Sequence, residues 1–433
     1  MCVIPRFQSS CICINALYSM HDCDKCTLRC SHSIPYGPQD VCGWNEQHSP
    51  HEDLRESPNS STLDFMADLS AIVVTFIYLK PANQPATLRL PGGDMVCRRH
   101  VIETLLLGAL LETRGVLTAQ AATSASADVV VDTWFGVKGD GKANDKANLQ
   151  NAIDRSVGKT LLITGRSRID ASGLDMRTGS HLRFAPNASI KLLPHNEVFY
   201  QILRIWDVRK VVLENATLDG SKELNSAKKD PVQGGYGMGI SIAGSSDVAI
   251  LSTATVNCWG DGIYIANSYG HKDRCSTAIR VIDHRASRCR RQGVSIISGR
   301  DVLFENPVWE NIGGTDPSAG LDIEPNSNQD VLEQIRILNP TTRNCRTGIL
   351  VYLKEIPGPI AKNVQIEIMN HRDESSTDAA FSVSGLKTEG HVVTGRIASI
   401  SPTWVNPRLA EVKSVGYDNA GPEIVVTGRR LVP

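Results

Sequence analysis

A glycine followed by alternating aliphatic residues recurs through the second half of this 433-residue chain: Gly239-Ile-Ser-Ile, Gly262-Ile-Tyr-Ile, Gly293-Val-Ser-Ile, Gly320-Leu-Asp-Ile and Gly348-Ile-Leu-Val. The steps between them are 23, 31, 27 and 28 residues, so each period supplies one short strand of this kind. A second series of alternating segments opens at Val211, Val248, Ile279, Val302, Ile335 and Val364. Units this short cannot bury an apolar side alone, so two strand series interleaved at one period describe a coil that stacks on itself. The pattern predicts an all-β fold, a right-handed parallel β-helix, over residues 128–433.

Ten residues beyond four successive starts of the second series stand Cys258, Cys289, Ile312 and Cys345. Equivalent positions of a parallel solenoid lie above one another at about 4.8 Å per rung, so these side chains should stack inside the coil. The three thiols are therefore read as core residues with no disulfide or metal role.

The chain before the repeats has a different character. Residues 1–94 hold seven of the 12 cysteines and no sustained periodicity, and are expected to be disordered or a mis-assigned upstream segment. The cluster Cys23, Cys26, Cys30 and His32 has zinc-type ligands but no regular structure around it, so no metal site is assigned there. Met95 opens a run with Arg98-Arg99, an apolar stretch from Leu105 to Leu111 and Ala119-Gln120-Ala121, the order of a twin-arginine export signal. Residues 95–127 are read as that signal, with translation starting at Met95 and a secreted or periplasmic product.

Lys plus Arg number 45 against 46 Asp plus Glu, a net charge of -1, so no global field points to nucleic acid. No apolar run is long enough to span a bilayer, so no stable membrane insertion is expected.

The run Phe135-Gly-Val-Lys-Gly139-Asp140-Gly141, then Asp145, then Leu149-Gln-Asn-Ala-Ile153-Asp154 resembles the opening segment of the pectate-lyase superfamily, whose members include rhamnogalacturonase- and epimerase-like proteins. The resemblance implies a pectin-lyase-like solenoid, a short N-terminal capping helix over its first strands, and activity on carbohydrate. Asp145 is expected to cap that helix, Leu149, Ala152 and Ile153 to form its apolar face, and Gly158 to end it.

On strands of period two the residues two and four after each repeated glycine face outward. Asp322 and Glu324 are the sharpest such pair, with Cα atoms about 6.5 to 7 Å apart on one face, suited to paired acid–base chemistry. Asp316 lies in the long turn that precedes them, and Tyr352 and Lys354 follow one rung on. Trp259-Gly-Asp261-Gly-Ile-Tyr-Ile followed by Arg291-Gln-Gly293-Val-Ser295-Ile is similar to two stretches of polygalacturonase-type glycosidases, with Arg-Gln-Gly where that family has Gly-His-Gly. That resemblance carries over Asp261 as an acid. The catalytic candidates are Asp322, Glu324, Asp261, Arg291, Tyr352 and Lys354, and the substrate-binding candidates Tyr264, Gln292, Ser295 and Asp316. His271 and His284 stand in reserve.

The expected function is cleavage of an acidic, uronic-acid-containing polysaccharide by a pectate-lyase-like lyase or epimerase, which needs a base, a carboxylate-neutralising cation and an acid. Two alternatives stay open: a polygalacturonase-like glycoside hydrolase using Asp322, Glu324 and Asp261, and a non-catalytic polysaccharide-binding or tailspike-like adhesin. No cofactor is required, with calcium the ion the carboxylates would take. A monomer is expected, or a homotrimer for a tailspike-like protein.

Overall fold

The computed structural model describes residues 128–226, 236–406 and 410–433. The expectations for residues 1–94, including the Cys23–His32 cluster, and for the export signal at 95–127 lie outside the described residues. Among the described residues the strands form three parallel sheets, and each turn of the coil visits them in the same order. Sheet A runs over 11 strands from Val129–Val131 to Glu423–Thr427, and sheet B over 11 from Asp140–Asn144 to Arg430–Val432. Sheet C has nine, from Leu174–Asp175 to Ala410–Val415. No helix among these residues is long and apolar enough to cross a membrane.

The two strand series read from the sequence are sheets C and A. Their register is the expected one at Val248, Ile279, Val302 and Ile335, which pair in succession, whereas Ile335 pairs with Ile366 and so shifts the predicted start at Val364 by two residues. The four positions ten residues on are buried, with Cys258 and Cys289 at 0% exposure. Burial pushes the Cys345 thiol up to about 12.

Sheet B escaped because its strands in the regular coils, such as Arg285–Ser287 and Val308–Glu310, are three residues long and each turn one side chain inward. Three residues are too few to show alternation. Its signal lies instead at its corners. Asn306 and Asn311, then Asn339 and Asn344, flank sheet B strands five residues apart, all at φ between 50° and 56°. This left-handed conformation favours asparagine among non-glycine residues. The corner amides also bond between rungs: Asn339 Nδ2 donates to Asn306 Oδ1 and Asn370 Nδ2 to Asn339 Oδ1, both at 2.9 Å.

The helix Lys146–Arg155 buries Leu149, Ala152 and Ile153 as expected. The Asp145 side chain does not cap it. Its two oxygens accept the backbone N–H groups of Lys138 and Gly139 at 2.8 and 3.0 Å, and only its main-chain carbonyl serves the helix, accepting from Leu149 N–H. The Gln150 amide exchanges hydrogen bonds of 3.0 and 2.8 Å with the backbone of Asp175, in the edge strand of sheet C. An amide here satisfies strand groups that the sheet would otherwise leave unpaired.

Inside the coil two layers repeat one polar device. Trp309 Nε1–H donates to His284 Nδ1 at 3.4 Å, and Trp404 Nε1–H to His371 Nδ1 at 3.3 Å. An indole nitrogen only donates, so each Nδ1 is unprotonated. Each Nε2–H then donates to a threonine hydroxyl of the preceding rung, Thr255 at 3.0 Å and Thr342 at 2.8 Å. His284 is thus a core residue, not the reserve site residue it looked like in sequence. Burial lowers both imidazoles from 6.5 to about 3. The unfolded chain binds these protons near pH 6.5 and the folded chain near 3, so the stabilisation is complete above 6.5 and is lost as pH falls toward 3, at about 1.4 kcal/mol per unit for each histidine. We expect imidazole NMR signals of His284 and His371 to stay those of the neutral ring down to pH 4 while the melting temperature falls across this window. Titration of either ring near pH 6 would contradict the assignment.

Candidate functional site

The register of sheet C aligns Arg204, Ser241, Tyr264, Ser295, Asp322, Leu350, Ser382 and Lys413 in one outward row. The glycines beside this row are required by close approach. A Cβ on Gly293 would stand 2.4 Å from Gly320 O, and one on Gly320 would stand 2.7 Å from both Gly348 O and a Thr342 methyl.

Asp322, in the strand Ala319–Ile323, is only 1% exposed. Its Oδ2 accepts from Gln292 Nε2 at 2.7 Å, and Gln292 Oε1 accepts Ala319 N–H at 3.0 Å, so both ends of that fully buried amide are used. Oδ1 meets no donor among the described residues, and the half-buried Glu324 lies two residues on in the same chain segment. Burial first, and the Glu324 charge second, push the Asp322 carboxyl well above its ordinary range. Like charge on the neighbouring Glu324 thus opposes ionisation of Asp322.

Asp261 is fully buried and saturated. Arg291 donates to it through Nε at 2.8 Å and Nη2 at 2.6 Å, and Ser295 Oγ adds a third bond at 2.9 Å. Burial alone would lower the Arg291 pKa, but the Asp261 charge and hydrogen bonds more than reverse this, so the guanidinium stays charged. The Tyr264 phenol is pushed up by burial and is neutral, with Asn326 Nδ2 3.5 Å from its hydroxyl.

The fold therefore brings Asp261, Tyr264, Arg291, Gln292, Ser295, Asp322 and Glu324 to one stretch of sheet C. Lys354 lies past the end of the strand Thr347–Tyr352, exposed and paired with Glu355 at 3.2 Å rather than with the acid pair. Asp316 binds Arg346 and, with Leu350, Tyr352, Ser382 and Lys413, lines a depression of about 440 Å³ on the following rungs. The Tyr352 ring lies over Gly385, whose Cβ would stand 2.3 Å from Cε2. His271 sits in an exposed loop, its N–H donating to Ser268 Oγ.

Sequence reasoning missed an aromatic group upstream. Phe199 and Tyr236 occupy one register position on neighbouring strands, their rings parallel within 3° and 4.8 Å apart, and are 64% and 42% exposed. The Arg291 guanidinium lies 5.7 Å from the Tyr236 ring centre. Trp206, whose Nε1–H donates to Ser241 Oγ, meets the exposed Tyr269 edge to face. Phe199 and Trp206 stand in a strand before the first glycine-led repeat and Tyr236 three residues ahead of Gly239, so only the clustering of aromatics in a chain with 5% of them marked the region.

Asp322 keeps a proton in the folded state that the unfolded chain releases near pH 3.8, so its burial costs stability increasingly as pH rises above that value. Asp322→Asn should match the wild-type melting temperature near pH 4 and exceed it progressively toward pH 8. A difference independent of pH would show that Asp322 is ionised in the fold.

No family model and no curated protein matches the sequence. Among solved structures, the chain is similar to the gene product 12 N-terminal fragment of bacteriophage phi29, with a TM-score of 0.53 and 16% identity over 70% of this chain and 56% of that one. The chain thus spans little more than half the length of that fragment. A surface adhesin of Streptococcus pneumoniae (TM-score 0.46, 11% identity, 70% and 93% covered) and a mannuronan C-5 epimerase A-module of Azotobacter vinelandii (0.39, 16%, 70% and 99%) are similar more loosely. At such identities likeness establishes the fold alone. That fold is the parallel β-helix, the architecture to which the repeats and the resemblance of the opening segment both pointed.

Proposed function

We propose that the chain is a polysaccharide-active enzyme that holds a glycan lengthwise along the outward face of sheet C and hydrolyses a glycosidic bond at the Asp322–Glu324 pair. One observation carries this reading: a carboxyl that is 1% exposed, held by Gln292 through one oxygen and raised well above its ordinary range by burial and by the half-buried Glu324 two residues on. Burying such a group without an ionic partner destabilises the fold, and perturbed carboxyls of this kind cluster where proton transfer is needed.

In the proposed reaction the proton of Asp322 passes by way of the more open Glu324 to the glycosidic oxygen, and the bond from that oxygen to the anomeric carbon breaks. The negative charge left on the pair stabilises the developing cation on the sugar ring. Water then adds to the anomeric carbon and returns one proton to the carboxyls. Arg291 is positioned by Asp261, whose two oxygens are both occupied, so Asp261 serves as a positioning residue rather than as the acid.

Elimination is less well supported by this geometry. It needs an available cation and an available base, whereas Arg291 is committed to Asp261, Lys354 to Glu355, and the Tyr264 phenol is raised beyond useful basicity. Export is part of the same proposal, supported by the twin-arginine sequence pattern at residues 95–127.

Incubation with a panel of polysaccharides should release saturated reducing ends, and Glu324→Gln and Asp322→Asn should each lower kcat on the order of a thousandfold with unchanged circular dichroism. Unsaturated, ultraviolet-absorbing ends would establish a lyase instead. Retention of a glycan on an affinity gel with no cleavage would establish a binding protein.

A further inference from the structure

Four cations along the outward face of sheet C come with carboxylate partners of their own. From rung to rung these are Arg204 with Asp175 at 2.5 Å, Arg291 with Asp261 at 2.6 Å, Arg346 with Asp316, and Lys413 with both oxygens of Asp378 at 2.9 and 2.8 Å. The next depression along the coil repeats the balance, with Lys354 and Lys387 beside Glu355 and Glu389, and Lys354 already held by Glu355. To these matched pairs the Asp322–Glu324 site adds negative charge alone.

We infer that the groove takes an uncharged glycan rather than the uronate polymer expected from sequence, an inference that rests on the glycan-hydrolysing reading of sheet C. A uronate carboxylate would have to displace an existing charge-assisted pair and to lie against the Asp322–Glu324 carboxyls, which offer it no cation. A neutral sugar meets neither obstacle. Its vicinal hydroxyls donate to the carboxylate and accept from the cation of one intact pair, as at Lys413–Asp378, with the Ser382 and Ser384 hydroxyls beside it. The Tyr352 ring, laid over Gly385, supplies apolar surface to the C–H face of a pyranose in the same depression.

The test is affinity electrophoresis of the full chain in gels containing polygalacturonate or alginate, and in matched gels whose polymer has been carboxyl-reduced to the neutral glycan of the same linkage, at low and high salt. Cleavage of each polymer is assayed in parallel. Wild type should be retarded by, or should cleave, at least one neutral form in a salt-insensitive way and should ignore its acidic partner. The double variant Asp316→Asn with Asp378→Asn frees Arg346 and Lys413 on side chains that are partly exposed, so folding is retained. It should gain retardation by the acidic form of about threefold or more, lost at high salt. Stronger, salt-sensitive retardation of wild type by an acidic form would overturn this inference and leave the groove reading standing. If neither form of any polymer is retained or cut by wild type, the groove reading fails and takes the inference with it.

Discussion

Backbone hydrogen bonding between successive rungs holds the three parallel sheets in register, and everything on the outside of the coil inherits its position from that register. Val248, Ile279, Val302 and Ile335 stack in sheet A while Tyr264, Ser295 and Asp322 align in sheet C. A slip of one residue would exchange the inner and outer faces, so the buried aliphatic rows fix the outward polar row as firmly as they fix the core. The left-handed corners contribute by bounding sheet B strands at the same point in successive coils, with Asn306, Asn339 and Asn370 joined from rung to rung ahead of three of them.

Within that frame the interior is not wholly apolar. The Thr–His–Trp relays around His284 and His371 spend every polar atom of two buried imidazoles, whereas Asp322 Oδ1 meets no donor among the described residues. The contrast separates two uses of buried polarity. A satisfied network specifies packing, while a buried carboxyl with an oxygen that no donor meets lowers stability. Gln292 makes the difference physical: it ties one oxygen of Asp322 to the backbone of Ala319 and leaves the other without a donor among the described residues.

Much of this was legible in the sequence. The glycine-led repeats gave sheet C, its row of outward residues and the Asp322–Glu324 pair, because period-two alternation exposes a half-buried strand directly. The buried stack of Cys258, Cys289, Ile312 and Cys345 followed from constant spacing alone. Sheet B and the correct start of the strand Lys362–Met369 did not follow, since three-residue strands carry no alternation and an insertion between rungs moves the count.

The sequence by itself determined that the chain coils, which side chains face outward, and that two carboxyls share a strand face, because these depend on local periodicity. Only the tertiary structure decided what each group does there. Whether Asp261 is a free acid or the saturated partner of Arg291, whether Lys354 reaches the carboxyls or turns to Glu355, and whether Asp145 caps a helix or clamps Lys138 and Gly139 all depend on contacts made through space. The ionisation of Asp322 belongs to the same class, since it is set by burial and by neighbours contributed from three successive rungs.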